Sequence, residues 1–331
     1  MAMRVRTLLL AGGAGTRLWP LSTDERPKQF LKLWGGRSLL RAAYERVHPL
    51  SGEEIFVATS ERYGDLTLSE LKTLPSGNLI LEPSRRNTAP AILCAALRFS
   101  RDGDPVTVVL PADQTVHDEA AFRRSLSEAA EIAASRRAIV LLGVVPDRPE
   151  IEYGYVETET GETTSRRVRR FVEKPDRATA ERYLESGNFF WNAGVFVFRP
   201  SVLIDEAAAV CPELLSACRR YDERWRERND RLERETYDAI PDISFDYGVM
   251  EKAREAYCVL CDAGWNDVGS YRALKEFRGT DEHGNLVVSD RPVVIEGLSD
   301  CVVAAGEEGI LVIPISLEGN LREIVARRVL K

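Results

Sequence analysis

The 331-residue sequence predicts an α/β protein, a mixed but mostly parallel sheet with helices on both faces, followed by a small β-rich segment. Three observations predict it. Apolar runs of strand length alternate with helical stretches through the first half. A glycine-rich loop follows the first of those runs, and after Phe277 the chain changes to short strands separated by turns. Continuous rather than alternating hydrophobicity marks strands buried on both faces, the usual condition of parallel sheets.

Taken in order, Val5–Leu10 reads as a strand, 39–47 as a helix, 55–58 as a strand and 66–74 as a helix. Residues 79–81 form the next strand, followed by helix 89–99, strand 106–110, helix 120–134 and strand 138–144. The middle of the chain mixes short strands (153–157, 168–173, 194–198, 257–260) with helices. Residues 218–235 are almost all charge, with Asp222/Arg226, Glu227/Arg231 and Asp230/Arg234 spaced as i,i+4 pairs, while Tyr221, Trp225 and Leu232 share one face. This stretch reads as one solvated helix without a function. Beyond Phe277 come a turn at 281–285 and short strands at 286–288, 293–295, 301–304 and 310–313. The domain boundary is therefore expected at 277/278, giving units 1–277 and 278–331.

Composition excludes several classes. The chain is 44% apolar and 29% charged, ordinary for a globular protein with an ample core, and its net charge of −7 speaks against a nucleic-acid surface. No apolar run reaches membrane-spanning length, and the N-terminus enters a strand directly without a leader pattern, so a cytoplasmic protein without membrane partners is expected. Six cysteines fit that compartment as reduced, mostly buried thiols. Cys258 and Cys261 form a C-x-x-C within an apolar strand, with no second pair at metal-ligand spacing. The three histidines, His48, His117 and His283, are scattered.

The most informative stretch is the loop after the first strand. Gly12, Gly13 and Gly15 let backbone approach a ligand closely, Thr16 and Arg17 follow at once, and Lys28 stands eleven residues beyond Arg17. Consecutive N–H groups aimed at one point, beside two cations, suit a polyphosphate. A Walker A loop would need Gly-Lys-Ser/Thr, which is absent, and Leu18 occupies the last glycine position of a dinucleotide fingerprint. Ligands on open α/β sheets bind outside the carboxyl ends of strands. Both the glycine loop and Pro111-Ala112-Asp113 occupy that edge.

The stretch L-A-G-G-x-G-T-R-L-W-P-L…P-K-Q-F-L resembles the signature of the sugar nucleotidyltransferases, in particular the mannose-1-phosphate guanylyltransferases. Matches continue through Glu82-Pro83…Arg86-Asn87-Thr88-Ala89-Pro90-Ala91, Phe171-Val172-Glu173-Lys174-Pro175 and Trp191-Asn192-Ala193-Gly194. They end with Asp246-Tyr247-Gly248-Val249-Met250-Glu251-Lys252 and Trp265-Asn266-Asp267-Val268-Gly269-Ser270. The resemblance implies a Rossmann-like nucleotidyltransferase domain with a truncated left-handed β-helix after it, often used to pair subunits, hence a homodimer. It implies transfer of a guanylyl group from GTP to mannose 1-phosphate. Longer relatives carry a phosphomannose isomerase domain, an activity expected to be absent because the chain stops at Lys331.

By resemblance, Asp113 and Asp267 hold Mg²⁺, although Asp267 would also suit a helix N-cap and Asp113 a strand-end turn. Gln114 stands where the family often shows His. Arg17 and Lys28 fall on the triphosphate. Lys174 falls on the sugar phosphate and Glu173 on sugar hydroxyls, with Gly154, Asn192 and Gly194 completing the sugar pocket; an exposed Glu-Lys pair before proline is the alternative. Guanine presents N–H donors on its Watson–Crick edge and suits a carboxylate acceptor. Glu82, at the position where related thymidylyltransferases carry Gln, is the candidate reader, helped by backbone near Asn87 and Thr88; capping the next helix is its alternative role. The competing functions are another sugar-1-phosphate nucleotidyltransferase, using glucose 1-phosphate with dTTP or ATP, and a catalytically silent sugar-nucleotide-binding subunit.

Overall fold

A computed structural model describes residues 3–13, 16–33, 35–161, 163–226 and 230–328. Twelve strands are described: β1 (Val5–Leu10), β2 (Ile55–Ser60), β3 (Leu79–Glu82), β4 (Val106–Pro111), β5 (Ile139–Val144), β6 (Tyr155–Thr158), β7 (Ser165–Val172), β8 (Phe189–Phe198), β9 (Ala256–Leu260), β10 (Leu286–Val288), β11 (Cys301–Gly306) and β12 (Gly309–Pro314). The helices are α1 (Leu39–Ser51), α2 (Gly64–Glu70), α3 (Thr88–Ser100), α4 (Glu119–Ser135), α5 (Arg177–Ser186), α6 (Pro200–Val210), α7 (Pro212–Arg226), α8 (Asp230–Asp238), α9 (Phe245–Gly248), α10 (Tyr271–Arg278) and α11 (Leu321–Arg328).

The chain divides into two compact units. The first comprises Met1–Gly12, Tyr44–Pro111 and Val116–Trp265; the second comprises Gly13–Ala43, Ala112–Thr115 and Asn266–Lys331. All nine strands of the large sheet belong to the first, in the order β3-β2-β1-β4-β8-β5-β9-β7-β6. The wing β3-β2-β1-β4 is parallel throughout. The other half is mixed as expected: β5 pairs parallel with β9, while β8 runs antiparallel to β4, β5 and β6, and β7 runs antiparallel to β6 and β9. Hydropathy reports burial on two faces and carries no strand direction. β8 also begins at Phe189, five residues before its expected start, because the apolar Phe-Phe-Trp run leads straight into the strand.

The polar residues of β1 have partners that explain their place in a central strand. Arg6, buried, donates to Glu54 at 2.7 Å and also reaches Asp102, while its guanidinium lies over the rings of Phe56 and Phe99. Helix α3 is apolar almost all round and is correspondingly buried, packing on α6 and α7. Helix α4 buries one stripe, Phe122, Leu126, Ala129, Ala130 and Ala133, and starts at Asp118, whose side chain accepts from the Ala121 N–H at 2.8 Å.

The charged stretch is two helices, α7 and α8, rather than one. Residues 227–229, and with them Glu227 of an expected pair, lie outside the described residues, as do the side chains of Arg226, Asp230, Arg231 and Leu232. Nor is the stretch simply solvated. Asp222 turns inward and accepts from both terminal nitrogens of Arg101, and Tyr221 is buried with its ring edge-on to Tyr237 at 4.7 Å. Arg234 pairs with Glu61.

The second unit holds the three-stranded sheet β10-β11-β12. The β10–β11 pair is parallel, as successive coils of a β-helix would be, but β11–β12 is an antiparallel hairpin. The strand expected at 293–295 is absent, and Val294 is 93% exposed. A core of Leu18, Leu31, Val268, Tyr271 and Leu274 packs with Val302, Leu311 and Ile313.

Candidate active site

In the second unit, three of the predicted residues meet. Lys28 begins a single 3-10 turn and is buried. Its ammonium donates to Asp113 Oδ2 at 3.0 Å and to the backbone carbonyl of Asp267. One ammonium thus ties together two acidic residues far apart in sequence. A short bridge between Thr115 and Asn266 fixes the same two segments, with N–H to carbonyl bonds of 2.9 and 3.0 Å in the two directions.

Asp267 does not cap a helix, which removes that alternative role: α10 begins at Tyr271 and is capped by Ser270, whose Oγ accepts from the Ala273 N–H at 3.1 Å. Asp267 instead closes a turn in which Oδ1 accepts from the Gly269 N–H at 3.0 Å. A Cβ on Gly269 would stand 2.4 Å from Asp267 Oδ2, so glycine makes room for the carboxylate. Val268 between them has φ +49°, costly for a β-branched residue and therefore held by its surroundings, including a 2.7 Å bond from its N–H to Asn266 Oδ1.

The donor set fits a hard divalent cation. Asp113 and Asp267 offer carboxylate oxygens, and Asp113 is already paired with a cation. Among the described residues no three His, Cys, Asp or Glu side chains gather. Mg²⁺ needs no such cage, since it binds through one or two carboxylates, waters and substrate phosphates. Gln114 beside Asp113 is buried. Arg17 lies in the 3-10 turn Thr16–Leu18 with an exposed side chain. Gly13 is braced from behind by Gln29, whose Nε2 donates to its carbonyl at 3.2 Å. Gly15 and the side chain of Thr16 lie outside what is described.

The first unit contains the remaining candidates, in two groups. Glu82 ends β3, and burial pushes its carboxyl up to about 7 despite a hydrogen bond donated to Oε1 by the Tyr237 hydroxyl. A Cβ on Gly12 would lie 3.1 Å from Oε2. Glu82 does not cap α3. Asn87 does, at φ +63°, its Oδ1 accepting from the Thr88 N–H at 3.1 Å. Thr88 Oγ1 accepts from the Phe245 N–H at 2.8 Å.

The second group links Gly154, Glu173, Lys174 and Asn192. Lys174, another left-handed residue at φ +47°, donates to Glu173 Oε1 at 2.6 Å. Burial disfavours its charge, but the Glu173 carboxylate outweighs that and holds its pKa above the ordinary lysine value. A Cβ on Gly154 would come within 2.5 Å of Glu173 Oε2. Asn192 donates its N–H to the Gly154 carbonyl at 2.8 Å and accepts from the Gly194 N–H at 3.0 Å.

Asn192 Nδ2 also donates, at 2.9 Å, to Asp246 Oδ1. Asp246 is not singled out by the sequence, although it stands in a quoted motif. Burial, then repulsion from Glu173, raises its carboxyl to about 7. Ser244, which caps α9 two residues earlier, is the signal that places it at a helix N-terminus. Tyr237 escapes notice as well, two residues beyond the charged stretch.

A mixed sheet built from strand–helix repeats and, in the second unit, a buried lysine bonded to Asp113 and to the Asp267 backbone agree with a nucleotidyltransferase. The Nucleotidyl transferase family model matches residues 6–283, and the chain belongs to that family. Its relatives narrow the class. It is 39% identical to the xanthan biosynthesis protein XanB of Xanthomonas campestris pv. campestris, over 98% of this chain and 73% of that protein. It is likewise 39% identical to a mannose-1-phosphate guanylyltransferase of Klebsiella pneumoniae, over 94% of this chain and 67% of that protein. A crystal structure from Thermus thermophilus, described as a mannose-1-phosphate geranyltransferase, superimposes with a TM-score of 0.88 at 37% identity, covering 98% of this chain and 99% of that one.

Proposed function

We propose that the chain is a Mg²⁺-dependent mannose-1-phosphate guanylyltransferase, converting GTP and α-D-mannose 1-phosphate into GDP-mannose and pyrophosphate. The observation that carries the reading is the Lys28 ammonium joining the Asp113 carboxylate to the Asp267 backbone. Relatives 34–39% identical over most of the chain support the choice of substrates.

The reaction needs no protein nucleophile. An oxygen of the sugar phosphate attacks the α-phosphorus in line; the new P–O bond forms as the α–β bridging bond breaks and pyrophosphate leaves. The protein has to position two polyanions and offset the charge that grows on the leaving group. Asp113 and Asp267 would hold Mg²⁺, which supplies Lewis-acid charge to the phosphate oxygens when bound.

Arg17 and Lys28 bind the triphosphate, with the N–H groups of the Gly12–Gly15 loop and Thr16. Arg17, whose side chain is exposed, follows the departing β and γ oxygens. Lys174 neutralises the sugar phosphate. Glu173, Asn192, Gly154 and Gly194 hold sugar hydroxyls, with Asp246 orienting the Asn192 amide. Glu82 accepts from the guanine N1–H and N2–H₂ edge, and backbone at Asn87 and Thr88 assists.

The β-rich segment 278–331 follows the catalytic domain 1–277, resembles a shortened β-helix in its parallel β10–β11 pair, and pairs subunits in a homodimer. The setting is cytoplasmic. Among the described residues no helix is long and apolar enough to cross a membrane, and all six cysteines are free.

The test is an initial-rate panel crossing four nucleoside triphosphates with mannose, glucose and fucose 1-phosphates, read by pyrophosphate release. GTP with mannose 1-phosphate should dominate. Preference for dTTP or ATP with glucose 1-phosphate would reassign the substrates, and no release with any pair would leave a binding subunit.

A further inference from the structure

Between β3 and α3 the chain from Pro83 to Asn87 has no regular secondary structure. Glu82, the last residue of β3, adjoins that turn. The turn is gripped from outside by one helix. Along α8, Tyr237 donates its hydroxyl to Glu82 Oε1, Arg234 donates to the Pro83 carbonyl at 2.6 Å, and Asp238 accepts from Ser84 Oγ and, at 3.4 Å, from Arg86. Consecutive turns of one helix therefore pin residues 82, 83, 84 and 86.

The grip is rigid where it matters. Tyr237 is 1% exposed, and its ring meets Tyr221 of α7, itself 2% exposed, edge to face. The core thus fixes the hydroxyl, and the hydroxyl fixes the carboxylate. With Oε1 occupied, Oε2 is the oxygen turned toward Gly12, 3.1 Å from where a Cβ would stand.

We infer that α8 is the specificity brace of this enzyme, with Tyr237 a positioning residue that orients Glu82 and leaves Oε2 as its acceptor for the guanine edge. This rests on the reading of Glu82 as the guanine acceptor. Tyr237 also donates to the form of Glu82 that guanine requires, the carboxylate, and opposes the burial that raises its pKa. Tyr237 is the titratable group bonded to Glu82. The charged groups around the turn are engaged with one another, Arg234 with Glu61 and Arg86 with Asp238, while Arg85 donates to the Tyr63 hydroxyl.

The experiment compares wild type, Y237F and E82Q by KM for GTP, kcat and GTP-over-ATP selectivity from pH 6 to 9. Titration of the nucleotide is common to all three and cancels in the comparison. Y237F keeps the ring and loses the donor. Its KM for GTP at pH 7 should rise about tenfold, the loss typical of one hydrogen bond to a charged group. That rise should be recovered at higher pH, with kcat at saturating GTP unchanged. E82Q should lose the selectivity at every pH. If Y237F overlays wild type while E82Q loses selectivity, the brace is refuted and Glu82 stands as the reader. If E82Q keeps its selectivity, the reading of Glu82 fails, and the inference falls with it.

Discussion

Asp113 and Glu82 both lie at the carboxyl ends of parallel strands, β4 and β3, yet the protein treats their carboxylates in opposite ways. Asp113 has a cation: the Lys28 ammonium at 3.0 Å. Glu82 has a neutral phenol and a desolvated pocket, and burial leaves its carboxyl near 7. A carboxylate already matched by positive charge is suited to exchanging that partner for a metal ion and phosphates. One held only by a neutral donor retains acceptor capacity for the N–H groups of a base. On the proposed reading, carboxylates that follow two parallel strands would serve charge neutralisation in one case and hydrogen-bond selection in the other.

Breaking the metal side should give the largest effect. Asp113→Asn and Asp267→Asn keep the volume and remove the charge, and each should lower kcat at least about a thousandfold while circular dichroism and thermal unfolding stay close to wild type. Full activity in either variant would detach that residue from the cation. Arg17→Ala should come next, lowering kcat about a hundredfold with a smaller rise in KM for GTP, because leaving-group charge is greatest in the transition state. A change confined to KM would place Arg17 in ground-state binding only. On the other side of the comparison, Glu82→Gln should erode the kcat/KM preference for GTP over dTTP about a hundredfold, with kcat for the correct pair less affected. Unchanged preference would mean that backbone groups alone read the base.

Much of this contrast was legible in residue order. The glycine loop, Lys28 and Asp113 follow strands whose hydrophobicity is unmistakable, and Asp267 lies in a motif with its own glycine. What could not be read was anything that depended on pairing. Asp246 matters because β8 runs back antiparallel and brings Asn192 within 2.9 Å of it, and strand direction leaves no trace in hydropathy. Tyr237 sits amid Glu, Arg and Asp, where the local signal says surface. Its buried ring and its bond to Glu82 arise from a partner far away in sequence. Asp267 suited a helix N-cap as an alternative role because aspartate is a favoured cap; Ser270, directly before α10, was the better marker.

The smallest expected effect is on stability, and it sharpens the comparison without any substrate. Burial raises Glu82 and Asp246 to about 7 from ordinary values near 4, so between those limits the folded chain binds more protons at these two sites than the unfolded chain does. Their contribution is therefore most favourable at low pH and is lost as pH rises through 7, the reverse of an ion-paired carboxylate. Between pH 5 and pH 8 the loss should be on the order of 2 to 3 kcal/mol for each group. Glu82→Gln and Asp246→Asn, neutral at every pH, should each be more stable than wild type in urea at pH 8, by clearly more than at pH 5. Unfolding curves at those two pH values measure it directly. Should both variants track wild type at both values, the two carboxylates are not held in the raised-pKa state, and the contrast with Asp113 would have to rest on partner geometry alone.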